Sequence, residues 1–357
     1  LLDRIRRAAR HRDACSPYRP GLRGQPDYRP LLRAGRLLAL RARGLLAAGR
    51  PRAAAELLLD GLRLCQDFHR GGTSLIETML ATAAAEDLQR MLEQLLNHKA
   101  PLGAELAAQL ESELGTLVAS QPHPATTLAG EMRSMALYAL LPGANPEDWQ
   151  PPGGWGKGAD PASFRPPLRS IQAVHPTDAV VLGWLAMRGL WREVLAGCTP
   201  ADPPVACYER LRRVGRAKAA AGLDELDAVR TALEVAFSPE RKRALRRKII
   251  QILQGVAAPA FDRYVARQGA GLFSLQALRL AAAYRQRAEA AGRCPDAAVF
   301  AAPALAALRR DPYSGRPIRV ETLAPARFAL RPTVPIAEQA GLDKPLAVFI
   351  DCPFAAP

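Results

Sequence analysis

Residues 37–64 read LLALRARGLLAAGRPRAAAELLLDGLRL, and the reading of this stretch decides the fold. Leu31, Leu38 and Leu45 recur once per heptad with Leu46 beside them, an apolar stripe on one face of a helix that opens near Asp27-Tyr28-Arg29-Pro30. Gly49 ends that helix, and Pro51 suits the first turn of the next, where its missing N–H would have had no intrahelical partner. Ala54, Leu57, Leu58, Leu62 and Cys65 then repeat at helical spacing as far as Gly71-Gly72. A connection as short as Ala48-Gly49-Arg50-Pro51 leaves only an antiparallel arrangement. Residues 31–70 are therefore expected to form a helical hairpin in which Leu38, Leu45, Leu58 and Leu62 share a core.

Outward from the hairpin, helical periodicity continues over 74–97, 103–119 and 126–141. It stops at residues 142–169, PGANPEDWQPPGGWGKGADPASFRPPLR, where seven prolines and five glycines in 28 positions mark a linker. An amphipathic helix follows, capped near Thr177 or Asp178, with Val180, Trp184, Met187, Trp191 and Val194 as a core stripe. Helices are expected at 203–221, 223–237, 238–254 and 274–291, and short strands at 318–323, 327–331 and 345–350. The fold class is thus mainly α, antiparallel helical hairpins or a bundle with a small C-terminal α+β module. Its expected divisions are an N-terminal helical domain (1–141), the Pro/Gly-rich linker (142–169), a second helical region (170–268) and a C-terminal helix with a small sheet (269–357).

The formal charge of +15 raises the question of nucleic acid, but only six of the 49 basic residues are lysine, a bias that a GC-rich genome produces at arbitrary positions. Residues 1–70 carry 16 basic and 6 acidic side chains, whereas 71–140 carry 3 and 8, so the acidic segment can dock against the basic flanks. The densest basic patch is Arg241, Lys242, Arg243, Arg246, Arg247 and Lys248, with Leu245, Ile249, Ile252 and Leu253 on the opposite face. It reads first as a solvated helix face and second as an interaction surface for phosphate, lipid headgroups or an acidic partner.

Six cysteines are scattered without CxxC or zinc-finger spacing, so neither zinc nor c-type haem is expected, and no metal site is assigned. Cys198 and Cys207 flank the loop TPADPPVA, where an oxidising compartment would place a disulfide; two unrelated buried thiols are the other reading. No cofactor is indicated. Gly153-Gly154-Trp155-Gly156-Lys157 fails as a phosphate loop, because Pro151 holds the first glycine position and Gly158 the Ser/Thr position. The five histidines are isolated, with no catalytic elbow or dinucleotide fingerprint. Glu131 reads as a first-turn glutamate favoured by the helix dipole, or as the acid of a polymer hydrolase that would need a second carboxylate. Asp311-Pro312-Tyr313-Ser314-Gly315 is a turn sequence: aspartate accepts a backbone N–H two residues on, proline presets φ, and Gly315 supplies positive φ. Calcium would need roughly six oxygens, and only Asp311, Ser314 and Glu321 are at hand.

Three segments carry resemblances. LLALRARGLLAAGRPRAAAELLLDGLRL resembles one tetratricopeptide-type hairpin, without a second copy at a 34-residue period. The ending, a helix at 274–291, then Gly292-Arg293-Cys294-Pro295, then Asp311-Pro312-Tyr313-Ser314-Gly315-Arg316-Pro317, resembles a group of uncharacterised exported or anchored bacterial proteins. Those proteins end in an Asp-Pro-Phe/Tyr-x-Gly-Lys/Arg-Pro module, distantly like the helix-to-sheet region of pseudopilins. Gly130-Glu131-Met132-Arg133 is similar to another part of that group. Cys294 departs from its pattern, as does the tail RPTVPIAEQAGLDKPLAVFIDCPFAAP. The resemblance implies export or anchoring and no reaction. The chain starts at Leu1 rather than Met, so a preceding targeting or anchoring segment, and membrane association through it, is expected. The expected function is a non-enzymatic interaction or scaffold subunit of a bacterial cell-envelope assembly, periplasmic or membrane-anchored, with a protein partner. An envelope-polymer hydrolase and a nucleic-acid-binding protein using helix 238–254 are the alternatives.

Overall fold

The computed structural model describes residues 29–71, 75–131, 198–218 and 235–354, with isolated positions between 185 and 233. The 142–169 linker, the Trp184 and Trp191 stripe and Cys15 lie outside the described residues. The protein is mostly helical with a three-stranded antiparallel sheet near its C-terminus.

Helices α1 (Arg29–Ala47) and α2 (Pro51–Gly71) form the hairpin that the leucine spacing implies. Gly49 takes the left-handed conformation (φ 69°), its N–H donates to the Leu46 carbonyl at 3.0 Å and that of Arg50 to Leu45 at 2.9 Å. This paired closure satisfies carbonyls at the helix end and turns the chain back. Leu38, Leu45, Leu58 and Leu62 are all buried in the same core. Helix α3 (Leu75–Leu96) packs on both arms of the hairpin, and α4 (Ala104–Ala119) follows after a turn. A further helical stretch covers 124–131.

After α5 (Pro204–Lys218), a single 53-residue helix, α6 (Pro239–Ala291), runs beside α3, α4 and α5. Ser238 caps its start by accepting from the Arg241 N–H at 3.1 Å, and Gly292 in the left-handed conformation (φ 60°) ends it. Separate helices at 238–254 and 274–291 are corrected by this element: Gly255 and Pro259 usually interrupt a helix, yet the backbone stays helical through both. Packing of the flanking turns outweighs a local propensity penalty of about 1 kcal/mol for glycine and about 3 for proline. The division expected between 268 and 269 therefore falls inside α6.

The C-terminal module holds a 3-10 turn (Ala297–Ala301), α7 (Pro303–Leu308), β1 (Arg319–Ala324), β2 (Arg327–Arg331), α8 (Ile336–Ala340) and β3 (Val348–Asp351). Strand order is β1-β2-β3, with Val320 opposite Leu330 and Phe328 opposite Ile350. Phe328 packs edge-on against Tyr284 of α6 and Phe300, with ring centroids 5.5 and 5.2 Å apart.

The module is not independent of the N-terminal helices. Glu93 and Asn97, one helical turn apart at the end of α3, bond the free edge of β3: Glu93 accepts from the Phe349 N–H at 2.7 Å, and Asn97 both accepts from Asp351 and donates to Phe349 at 2.9 Å. Those bonds use ladder groups that an edge strand would otherwise leave unpaired. Buried Arg285 of α6 donates to the carbonyls of Leu96, His98 and Ala100 and pairs with Glu289, which accepts from the Leu102 N–H. One guanidinium thus caps the carbonyl end of α3 and shapes the turn into α4.

Candidate functional site: a polar cleft where three loops meet

Asp311 organises the first wall. One carboxylate oxygen accepts the Tyr313 N–H at 3.0 Å, the other accepts the Ser314 hydroxyl at 2.5 Å, and its carbonyl accepts the Gly315 N–H at 2.8 Å. Gly315 takes φ 70°, so Asp311, Pro312 and Gly315 occupy a tight turn. Burial pushes the Asp311 carboxyl up, and the bonds from Ser314 and Tyr313 oppose that shift. Glu321, the third oxygen donor considered for calcium, pairs instead with Arg331 on the sheet. Tyr313 lies against Gly269 of α6 so closely that a β-carbon there would enter its ring. Its hydroxyl donates to Gln339 at 2.8 Å, and its carbonyl accepts the Val205 N–H at 3.0 Å.

That last bond joins the Asp311 turn to the second wall, the 198–207 loop. Cys198 and Cys207 are disulfide-bonded with Cα atoms 4.6 Å apart, and both are buried. Inside the loop, Asp202 accepts from the Thr199 N–H at 3.0 Å and from its hydroxyl at 2.7 Å, which holds its carboxyl below the usual range.

The third wall is the turn Gln121-Pro122-His123-Pro124. His123 Nε2 donates to the Asp202 carbonyl at 2.9 Å, while Nδ1 accepts the Ala125 N–H at 3.2 Å and so caps the 124–131 helix. Desolvation lowers the His123 pKa, with its bond to Asp202 acting against the shift. A ring nitrogen of His123 and the Cys198 and Cys207 sulfurs lie within 4.8 Å of one another. The floor comes from α6: Gln268 donates to the Pro122 carbonyl at 2.8 Å and Gln276 to that of Leu308 at 2.6 Å.

Together these segments enclose a cleft of about 670 Å³ lined by His123, Asp202, Gln268, Arg310, Asp311 and Ser314 among others. Arg310 is exposed and makes no ion pair or side-chain hydrogen bond among the described residues. A small cavity of about 20 Å³, room for a single water, lies behind and shares Gln121, Gln268 and Leu272 with the cleft. His69 borders it, held by Gln121, Thr78 and Thr82.

Two sequence-derived features, the Cys198–Cys207 loop and the Asp311 turn, are brought together here. The basic segment is not. Arg241, Lys242, Arg243, Arg247 and Lys248 are exposed on the first turns of α6, Arg246 is half-buried, and none lines the cleft. Glu131 is buried elsewhere, close enough to Tyr264 that its charge adds to the burial raising that hydroxyl's pKa. Sequence reasoning missed His123, Gln268, Gln276 and Arg310. His123 had one local signal, its position between two prolines just ahead of a helix. A second disulfide, Cys294–Cys352, joins the end of α6 to the end of β3 and was also not anticipated. Comparison with protein-family models, curated proteins and solved structures returns no match.

Proposed function

We infer that the chain is a non-enzymatic interaction module of a bacterial cell-envelope assembly, and that the cleft receives a polar segment of its protein partner. The observation that carries this reading is the convergence of three loops, covalently and hydrogen-bond locked, around a cleft that offers the Arg310 cation, which has no ion-pair partner among the described residues. A concave site with a few fixed polar groups is the usual form of a binding pocket. Two disulfides support placement in an oxidising, extracytoplasmic compartment. Among the described residues no helix is long and apolar enough to cross a membrane, so anchoring would rest on a segment other than these. The exposed cations of α6 supply a second, salt-sensitive contact.

The test is recovery of a partner from envelope membranes by the tagged full chain across a salt series. Arg310→Glu is expected to abolish recovery. Reversing Arg243, Arg246 and Arg247 to Glu is expected to weaken it most at low salt. Unchanged recovery with Arg310→Glu contradicts the cleft as the docking site. The hydrolase reading has one observation in its favour, the burial of Glu131 beside Tyr264. Turnover of an envelope polymer that is lost in Glu131→Gln would replace the non-enzymatic reading.

A further inference from the structure

Among the described residues, His123, Cys198 and Cys207 are the one set of three side chains whose ligating atoms converge closely enough to hold a metal ion. The other disulfide, Cys294–Cys352, belongs to no such set. One sulfur pair is therefore a plain staple, and the other, itself buried, sits against an imidazole that lines the cleft. His123 lies 75 residues ahead of Cys198, and the two cysteines are nine residues apart, so no metal-binding spacing is visible in the sequence.

The chemistry of the set suits a thiophilic cation. Zinc takes thiolate sulfur at about 2.3 Å and imidazole nitrogen at about 2.0 Å, and two protein sulfurs with one nitrogen are a known donor set. Two thiolates on such an ion stand about 3.8 Å apart, within reach of side chains whose Cα atoms are 4.6 Å apart. His123 Nε2 donates to a backbone carbonyl, the Asp202 oxygen, as the second ring nitrogen of a metal-bound imidazole commonly does. The lone pair on Nδ1 accepts the Ala125 N–H at 3.2 Å, and an ion taken at Nδ1 would replace that bond.

We propose that reduction of Cys198–Cys207 converts this corner of the cleft into a zinc-type cation site formed by the two thiolates and His123. A dithiol reductant passes two electrons and two protons to the disulfide, is itself oxidised to its own disulfide, and leaves two protein thiols. The cation binds both as thiolates, releases their two protons, and takes water from the cleft in its fourth position. A disulfide oxidant reverses the sequence: it takes two electrons from the thiolates and two protons from water, leaves as a dithiol, and the re-formed protein disulfide releases the ion. The site would thus exist in one redox state of the protein only, and it does not depend on the cleft having a protein partner.

The experiment uses the full chain, stripped of metal by a chelator, with Zn²⁺ alone as the probe. Oxidised protein is compared with protein reduced and then freed of reductant. The reduced chain is expected to bind about one equivalent and the oxidised chain none. Residue-resolved alkylation is expected to show zinc protecting Cys198 and Cys207 by about tenfold or more, and leaving Cys294 and Cys352 unprotected. His123→Gln retains the disulfide and is expected to weaken zinc binding by about tenfold or more in the reduced form. No uptake by the reduced chain, equal uptake by the oxidised chain, protection confined to other cysteines, or unaltered affinity in His123→Gln would each overturn the proposal. The alkylation map needs no cysteine variant, so misfolding of such a variant does not blunt the test.

Discussion

In the α1–α2 hairpin, buried Leu38 and Leu58 have no polar group to satisfy, and the turn is closed by backbone bonds around Gly49. Around the cleft, burial falls on Asp311, Ser314, Gln268 and a sulfur pair, and each loop is fixed to the next by a named bond: Val205 to Tyr313, His123 to Asp202, Cys198 to Cys207. The first region is held by an interaction proportional to area and indifferent to direction. The second is held by directional and covalent links, which fix a geometry at modest stability and respond to redox state, pH and ligands. This contrast explains why a core can be read from spacing, whereas a site assembled from loops cannot.

The largest effect should come from the apolar side. Leu58→Ala, at a fully buried position, is expected to cost about 2–5 kcal/mol in denaturant unfolding, equally in oxidising and reducing buffer. A cost below about 1 kcal/mol, or one that depends on reductant, would erase the distinction between the two regions.

The two disulfides sharpen it. In the chain-entropy picture, a loop of separation 58 restrains the unfolded chain by about 4 kcal/mol and one of separation 9 by about 2.6 kcal/mol. Replacing Cys294 and Cys352 by serine should therefore destabilise the protein more than replacing Cys198 and Cys207. The reverse order in paired denaturation curves would mean that the short bridge carries more than local restraint.

A smaller effect is expected where the cleft wall leans on α6. Gly269→Ala adds a β-carbon inside the Tyr313 ring, and overpacking of this kind costs about 1–3 kcal/mol, partly offset by alanine's helix preference of about 1 kcal/mol. If Gly269→Ala proves stabilising by thermal melting, Tyr313 is not seated on the helix.

The smallest effect is electrostatic. Because the folded protein lowers the His123 pKa below its ordinary 6.5, the neutral ring is favoured by folding. That contribution is present in full above 6.5 and is lost as pH falls from there through the folded value, since the unfolded chain takes up the proton first. His123→Gln is thus expected to flatten the decline in stability between about pH 7.5 and about pH 5.5. An identical pH slope in the variant would remove His123 from the account, and no matching change is expected for Leu58→Ala.

Legibility in the sequence followed the same line. Heptad leucines located α1 and α2, and β2 was read at its observed limits, because both patterns are local and periodic. The join of two expected helices into α6 was hidden behind Gly255 and Pro259, whose local preference tertiary packing overrides. Cys198 and Cys207 could be paired in advance because one short loop separates them, whereas Cys294 and Cys352 are 58 residues apart with no intervening cue. His123 and Asp202 meet across 79 residues. Arg310 stood one residue ahead of a recognised turn, yet only its position on the cleft distinguishes it from 48 other basic side chains.

The most direct measurement for the cleft is site-specific photo-cross-linking in intact cells, with a photoreactive residue at Ala201, which is exposed on the 198–207 loop and lines the cleft. A matched probe at Glu105, exposed on α4, serves as the comparison. A discrete adduct with one protein from Ala201, absent from Glu105 and lost when Arg310→Glu is added, is the predicted result. Equal or absent adducts at the two positions would contradict the cleft as a docking site.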